Sequence, residues 1–191
     1  MKDFTDSRHG DAADEIWFVE HEPVFTLGVK ADIRHVMTPG EIEVLQTDRG
    51  GEVTYHGPGQ LVAYVLLDLR RRGFDIRRLV VALENAVIST VAPWGVRANG
   101  KRDAPGVYID ERKFAAVGLR VRRGCTYHGL AVNVKMDLEP FTRINPCGYA
   151  GLEVTQIADH TQIATVDAYR PVLEASLLDE IEQLVPARST A

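Results

Sequence analysis

The 191-residue sequence has few cysteines, no long hydrophobic run and no basic leader followed by apolar residues. Its only cysteines are Cys125 and Cys147, so a fold held together by several disulfides is excluded. A bilayer-spanning helix needs about 18 or more apolar residues in a row, and the sequence contains no such stretch. These absences predict a cytoplasmic protein that has no membrane partner and keeps both thiols reduced.

Several ligand-binding signatures are also missing. The sequence contains neither GxxxxGK[ST] nor GxGxxG before a helix, which argues against a nucleotide cofactor. Cys125 and His128 have a Cys-x-x-His spacing, but a strand sends such positions to opposite faces and no second ligand pair follows. The sequence therefore predicts no metal and no cofactor.

The residues that are present form patterns of grouped strands and two long helices. Apolar residues recur at helical spacing from Asp75 to Pro93 and again from Val166 to Leu184. A long apolar run after Gly59 predicts a buried strand, and further strands are predicted at residues 16–19, 24–27, 43–47, 107–110, 113–121 and 125–134. This order predicts one α+β domain over residues 1–191 rather than a doubly wound sheet.

The charge is distributed unevenly along the chain. The net charge is −5, yet residues 49–123 hold 14 Lys and Arg against 7 Asp and Glu. This basic segment is interpreted either as a solvated face or as a docking patch for an acidic partner. The lack of aromatics between the basic residues and the acidic pI of the whole chain argue against a nucleic-acid partner. The arginines concerned are Arg70, Arg71, Arg72, Arg77, Arg78, Arg120, Arg122 and Arg123.

Cys147 occupies an unusual position for a cysteine. It lies in RINPCGYAGLEVTQI, residues 143–157, between Pro146 and Gly148. Asn145 and Pro146 favour the start of a turn and glycine tolerates its exit, so the cysteine is expected at the apex. A structural free cysteine is usually packed in the interior. Cys147 is therefore either an inert small hydrophobe or an accessible nucleophile.

Lys113 begins the predicted strand KFAAVGLRV. Strict alternation places it on the face of Ala115, Val117 and Leu119, towards the core. The lysine either extends its ammonium to solvent or faces a pocket, where it can exchange protons. An ammonium beside a cysteine favours the thiolate, and such a pair supports acyl transfer through a thioester.

The tetrapeptide TYHG occurs twice, at residues 54–57 and 126–129. The repeat is too short to indicate a repeat architecture, but two similar strands around one site would explain it. Its histidines, His56 and His128, are rival bases for the cysteine in a Cys–His site.

Four segments, in this order and spacing, carry a resemblance to a known family: RGGEVTYHGPGQLVAY, GVYIDERKFAAVGLRV, CTYHGLAVNVKMDLEPF and INPCGYAGLEVTQI. The sequence resembles the lipoyl(octanoyl) transferases from Asp14 to Ile157. The resemblance implies a mixed-sheet domain of the biotin/lipoate protein ligase type with flanking helices. It also implies an octanoyl-acyl carrier protein donor, and lipoyl domains and the glycine-cleavage H protein as acceptors.

The resemblance also implies roles for particular residues. Cys147 is similar to the acyl-thioester nucleophile of the family, and Lys113 to the residue that activates it. Because members usually carry further residues before this starting point, the N-terminus is expected to be shortened. The implied acyl-binding residues are Arg49, Gly50, Gly51, Glu52, Val53, Thr54, Tyr55, His56, Ala116, Val117, Gly118, Gly129, Leu130 and Ala131.

Two other function classes remain open on the sequence. An ATP-dependent lipoate or biotin ligase of the same fold would activate its acid as an adenylate and would need no thiol. A non-catalytic acyl-binding or carrier-docking module would not depend on Cys147.

Overall fold

A computed structural model describes residues 1–184, apart from the side chain of Cys147. A six-stranded antiparallel sheet forms the centre of the domain. In their order across the sheet, its strands are β1 (Glu15–Val19), β5 (Gln60–Leu66), β9 (Cys125–Asn133), β8 (Arg112–Arg122), β7 (Gly106–Ile109) and β6 (Asn99–Gly100).

A three-stranded sheet packs beside the large one. In it β2 (Val24–Leu27) pairs in parallel with β3 (Glu43–Gln46) and antiparallel with β4 (Val53–His56). β1 and β2 are consecutive in the sequence but belong to different sheets. The small sheet has its own hydrophobic cluster, formed by Phe25, Leu27, Val53, Tyr55, Met136, Phe141 and Ile144.

Two long helices cover one face of the large sheet. The first, α3 (Ile76–Val91), begins where the Asp75 side chain accepts a hydrogen bond from the Arg78 backbone N–H. The second, α4 (Val166–Gln183), buries Tyr169, Leu173, Leu177 and Ile181, which recur every fourth residue along one side. This spacing packs α4 against α3 and one face of the large sheet.

An ion-pair cluster around the buried Asp14 carboxylate joins the ends of two short helices. Arg8 directly follows α1 (Lys2–Ser7), and Arg71 and Arg72 end α2 (Leu69–Arg72). The Asp14 carboxylate pairs with Arg8 at 2.7 Å, Arg71 at 2.6 Å and Arg72 at 2.7 Å. Two arginines of the basic segment therefore stabilise the fold, in addition to any role in docking.

The prediction for the direction of Lys113 was wrong. Lys113 lies opposite Tyr108 while Ala115 lies opposite Val107, so Phe114 is an extra residue and forms a β-bulge. Val107 and Ala115 belong to the core under the helices, whereas Tyr108 and Lys113 lie on the other face. Strict alternation gave the wrong face for Lys113 because it assumes that every residue has a cross-strand partner, and Phe114 has none.

The sequence prediction of the fold class is confirmed. The domain is α+β, with antiparallel pairing in the large sheet, mixed pairing in the small one and helices on the flank. The strand and helix limits deviate from the predicted ones by one or two residues. Within residues 1–184, no helix is long and apolar enough to cross a membrane.

Candidate active site

A cavity of about 250 Å³ lies between the two sheets. Val24, Thr26 and Thr54 line it from the small sheet, and Val62 and Tyr64 from the large one. The large sheet contributes three small residues to the same face: Ala116 pairs with Ala131 across β8 and β9, and Gly118 lies two positions further along β8. Small side chains at these positions leave the space that larger ones would fill.

Thirteen of the fourteen predicted acyl-binding residues line this cavity: Arg49, Gly50, Gly51, Glu52, Val53, Thr54, His56, Ala116, Val117, Gly118, Gly129, Leu130 and Ala131. Tyr55 is the exception. Its ring packs against Phe25 and Phe141 in the hydrophobic cluster of the small sheet. Adjacent residues of a strand point to opposite faces, so the contiguous motif at residues 49–56 includes two core residues, Val53 and Tyr55, of which only Val53 also reaches the cavity.

The segment around Cys147 is anchored at both ends. Ile144 forms a bridge to Val36, and Val154 forms a parallel bridge to Lys113. Between them, Gly148 N donates to Asn145 O at 3.0 Å and closes the turn that contains Cys147. The turn predicted from the sequence is confirmed. The orientation of the Cys147 thiol lies outside the described residues.

Lys113 is buried beside this turn, with only 4% of its surface exposed. Its Nζ donates to the Pro105 carbonyl at 3.3 Å and lies 5.1 Å from the centre of the Tyr108 ring. A second cavity of about 20 Å³ is lined by Lys113 and Pro146, and shares Thr54, Ala116 and Ala131 with the large cavity. Lys113 and Pro146, the residue before Cys147, therefore line one small cavity, which shares three wall residues with the large cavity.

The two TYHG segments contribute histidines to the same cavity from different sheets. Burial lowers the pKa of His56 to about 4, although a hydrogen bond with Gln60 opposes the shift. Burial also lowers the pKa of His128, while the Asp48 carboxylate, 2.9 Å from its Nε2, opposes that shift. Burial therefore favours the neutral form of both rings, and both are already engaged in hydrogen bonds.

His128 is also far from Lys113 along the sheet. It lies opposite Leu119, which is six residues from Lys113 on β8, or roughly 20 Å at the rise of a strand. Its backbone has a φ of +60°, a conformation that is uncommon outside glycine. Where side chains are described, no three His, Cys, Asp or Glu residues come together to hold a metal ion.

The sequence did not identify several residues at the site. His21 and Tyr64 line the cavity and share a hydrogen bond of 2.6 Å, and Pro105 supplies the carbonyl that binds Lys113. Glu84 lies on the buried side of α3, next to Gly106. A charged residue on the apolar side of a predicted helix was the available signal for Glu84, because α3 buries Leu83 and Val87 on that side.

Comparison with known proteins first defines the class of fold. The structure of lipoate-protein ligase A bound with ATP superposes with a TM-score of 0.72, covering 96% of this chain and 84% of that chain. The two sequences are 17% identical, so this likeness shows the fold alone. The fold is that of the lipoate protein ligases.

Sequence comparison then defines the family. The model of the lipoyl protein ligase A/B catalytic domain matches residues 2–178. An octanoyltransferase of Pseudomonas syringae pv. syringae is 54% identical over 190 residues, which cover 100% of this chain and 87% of that protein. An octanoyltransferase of Klebsiella pneumoniae subsp. pneumoniae is 54% identical over 178 residues, covering 93% and 83% respectively. The chain belongs to the octanoyltransferases of the lipoyl protein ligase A/B family, which are acyltransferases.

Proposed function

We propose that this chain moves an octanoyl or lipoyl group from acyl carrier protein to a lysine of lipoyl domains, through a thioester on Cys147. The acceptors are the lipoyl domains of 2-oxo-acid dehydrogenases and the glycine-cleavage H protein. The observation that carries the proposal is the small cavity lined by both Lys113 and Pro146, because it adjoins the large cavity between the sheets. The chain acts in the cytoplasm as one catalytic domain over residues 1–191.

The first step loads the enzyme. The Cys147 thiolate attacks the thioester carbonyl of the donor, a new carbon–sulfur bond forms, and the thiol of the carrier leaves. The Lys113 ammonium favours this thiolate and supplies a proton to the leaving sulfur. One thioester replaces another, so the loaded enzyme retains the energy needed for the second step.

The second step delivers the acyl group. The amine of the acceptor lysine attacks the Cys147 thioester, an amide bond forms, and the Cys147 sulfur leaves. Lys113, neutral after the first step, accepts the proton that the attacking amine loses. The same side chain therefore acts as acid and then as base, and the ammonium–thiolate pair is restored.

The large cavity fits the apolar tail of the acyl group. An octanoyl group carries roughly seven apolar carbons beyond its carbonyl, and burying each contributes about 0.8 kcal/mol. The wall formed by Ala116, Gly118 and Ala131 presents little side-chain volume to the tail. Burial of the tail supplies affinity that is independent of the carrier protein.

The histidines are weaker candidates for the base. A pKa of about 4 makes His56 a poor proton acceptor for a thiol, whose ordinary pKa is about 8.5. His128 on β9 forms a hydrogen bond with Asp48, and it lies roughly 20 Å from Lys113 along the sheet. These two observations favour Lys113 as the proton carrier.

Mass spectrometry of the protein after incubation with octanoyl-acyl carrier protein tests the proposal. We expect one octanoyl adduct, on the peptide that contains Cys147, and its disappearance when lipoyl domain is added. Cys147→Ser should abolish the adduct and reduce transfer by orders of magnitude, because a hydroxyl is far harder to activate than a thiol. Cys125→Ala is the matched control: Cys125 is buried in β9, and this variant should be loaded normally.

Two other outcomes would contradict the proposal. Turnover that requires free octanoate and ATP, releases pyrophosphate and survives Cys147→Ser would assign the chain to the ligases. Binding of octanoyl-acyl carrier protein with neither an adduct nor transfer would make it a non-catalytic binding module.

A further inference from the structure

Glu84 is a buried carboxylate that the mechanism above does not use. It lies on α3, with 8% of its surface exposed, on the side that packs against the sheet. Its Oε1 accepts a hydrogen bond of 2.8 Å from the backbone N–H of Gly106. Burial raises the pKa of Glu84, and this bond together with the nearby Lys113 charge opposes the rise.

One peptide group connects Glu84 to Lys113. The peptide that joins Pro105 to Gly106 donates its N–H to Glu84 and accepts from Lys113 Nζ, at 3.3 Å, through its carbonyl. The two bonds lie at opposite ends of the same peptide dipole. A carboxylate at the N–H end polarises the group, so the carbonyl oxygen becomes a stronger acceptor for the ammonium.

Glycines allow this arrangement to form. Gly106 has a φ of +143°, and a Cβ there would lie 2.4 Å from the Ala115 carbonyl oxygen. At Gly100 of β6, a Cβ would lie 2.7 Å from Oε2 of Glu84. The backbone of two strands therefore approaches the carboxylate and the lysine more closely than any other residue type permits.

We propose that Glu84 is a positioning residue, which acts through the peptide between Pro105 and Gly106 to hold the Lys113 ammonium at the Cys147 turn. This inference rests on the proposed function of Lys113 and Cys147. Glu84 itself touches neither acyl group nor carrier. Its role is to fix the atom that orients the proton carrier.

The test compares two substitutions of Glu84. Glu84→Met keeps the length of the side chain but removes the acceptor, whereas Glu84→Gln keeps an acceptor oxygen for Gly106 N–H. We expect Glu84→Met to lower kcat by roughly 10- to 100-fold with the donor KM within about twofold, because small displacements of catalytic groups are costly. Glu84→Gln should recover to within about threefold of the wild-type kcat. Equal impairment of the two variants would overturn the proposal.

Alkylation of Cys147 by iodoacetamide at pH 7 provides a readout without carrier protein. Mass spectrometry of the Cys147 peptide should show about tenfold slower alkylation in Glu84→Met, since a misplaced ammonium stabilises the thiolate less. A residue that supports only the fold would leave this rate unchanged in the folded protein, and that result would contradict the inference.

A double-mutant cycle with Lys113→Met shows whether Glu84 acts through the lysine. In the Lys113→Met background, Glu84→Met should change alkylation and kcat by less than about twofold, because the route to the thiol is already lost. Additive losses would overturn the inference. If Glu84→Met does not fold, Gly100→Ala serves as the second variant. Gly100 lies on the exposed strand β6, and a Cβ there would push against the Glu84 carboxylate, so this variant should also slow alkylation.

The cycle also separates this inference from the proposed function. If Lys113→Met alone is alkylated and turns over at the wild-type rate, the proposed role of Lys113 fails. If Lys113→Met is impaired while Glu84→Met and Gly100→Ala are not, only the positioning role of Glu84 fails.

Discussion

Two buried carboxylates in this domain have opposite chemical environments. Asp14 is bound directly by three arginines, and although burial by itself would raise its pKa, hydrogen bonds with Arg72, the Asp68 backbone and Arg8 lower it overall. Glu84 accepts a hydrogen bond from a backbone N–H, and burial raises its pKa overall. Asp14 lies next to β1, and Glu84 lies beside the lysine of the candidate site.

The Asp14 charge stabilises the fold, whereas the proposed role of the Glu84 charge is to position the lysine of the candidate site. A buried carboxylate surrounded by guanidinium groups remains ionised and holds three chain segments together. A carboxylate that reaches a lysine through a peptide dipole exerts its effect while the lysine remains able to exchange its proton. Substitutions should therefore affect mainly stability at Asp14 and mainly rate at Glu84.

The largest effect on stability is expected from Asp14→Asn. The change leaves Arg8, Arg71 and Arg72 without their shared anion, and should lower the free energy of unfolding by about 3–5 kcal/mol. Urea denaturation with an unchanged m-value measures the loss. The control is Asp6→Asn at the exposed ion pair with Arg122, where we expect a loss below about 1 kcal/mol. Equal losses would mean that burial does not distinguish the two pairs.

Gly118→Val extends the comparison to the uncharged wall of the large cavity, at a position five residues beyond Lys113 on β8. A larger side chain should displace the end of an octanoyl chain and reduce octanoyl transfer by roughly 10- to 100-fold. Transfer of a butanoyl group from the same carrier should change by less than about threefold, which makes the short donor an internal control. A parallel decrease for both donors would indicate damage to the fold rather than a shorter cavity.

The pH dependence of stability should differ in sign between the carboxylates. The folded pKa of Asp14 is below its ordinary 3.8, so the stability it contributes is present above that pH and is lost as the pH falls further. The folded pKa of Glu84 is above its ordinary 4.5, so its unfavourable contribution decreases as the pH falls towards 4.5. Unfolding free energies from pH 2 to pH 7 measure both.

Each carboxylate has its own control in that experiment. Asp14→Asn should flatten the curve below about pH 4, although Asp48 retains part of the slope because hydrogen bonds with His128, Tyr127 and Lys2 outweigh its burial and lower its pKa. Glu84→Gln should flatten the curve only above about pH 4.5. If the two substitutions had identical effects on the curve, the pKa values of Asp14 and Glu84 would not be shifted in opposite directions.

The smallest effect is expected from Arg70→Glu. Arg70 is the most exposed arginine of α2 and pairs with Asp68 at 3.4 Å, whereas Arg71 and Arg72 bind the buried Asp14, so Arg70→Glu tests docking with the least disturbance of the fold. It lies at the end of the β8–β9 hairpin, roughly 30 Å along β8 from Lys113. We expect the KM for acyl carrier protein to rise about twofold at low salt and to return to normal at high salt. An unchanged KM at every salt concentration would mean that Arg70 belongs to a solvated face and does not dock the carrier protein.

Much of the fold followed from local sequence patterns. The helical spacing from Asp75 and the β-branched runs predicted α3 and most strands, because side-chain burial repeats every 3.6 or 2 residues. Residues 145–148 predicted the turn, because proline and glycine limit the backbone there. The candidate site was predictable in the same way wherever a contiguous motif carried it.

Other features depended on residues far apart in the sequence. Lys113 was assigned to the wrong face because the bulge at Phe114 arises from pairing with β7. Tyr55 was grouped with the cavity although the packing of the small sheet buries it among Phe25 and Phe141. The bulge is not encoded in the periodicity of one strand, and the alternation along β4 does not by itself say which of its faces packs against Phe25 and Phe141.

The sequence by itself determined the α+β class, the turn around Cys147 and the resemblance to one family, because these depend on local backbone preference and contiguous motifs. Only the tertiary structure decided that the two TYHG segments meet at one cavity, that Lys113 faces away from the helices, and that Glu84 reaches it through one peptide. The physical reason is that cavities, bulges and buried hydrogen bonds are set by cross-strand register and by packing between distant segments.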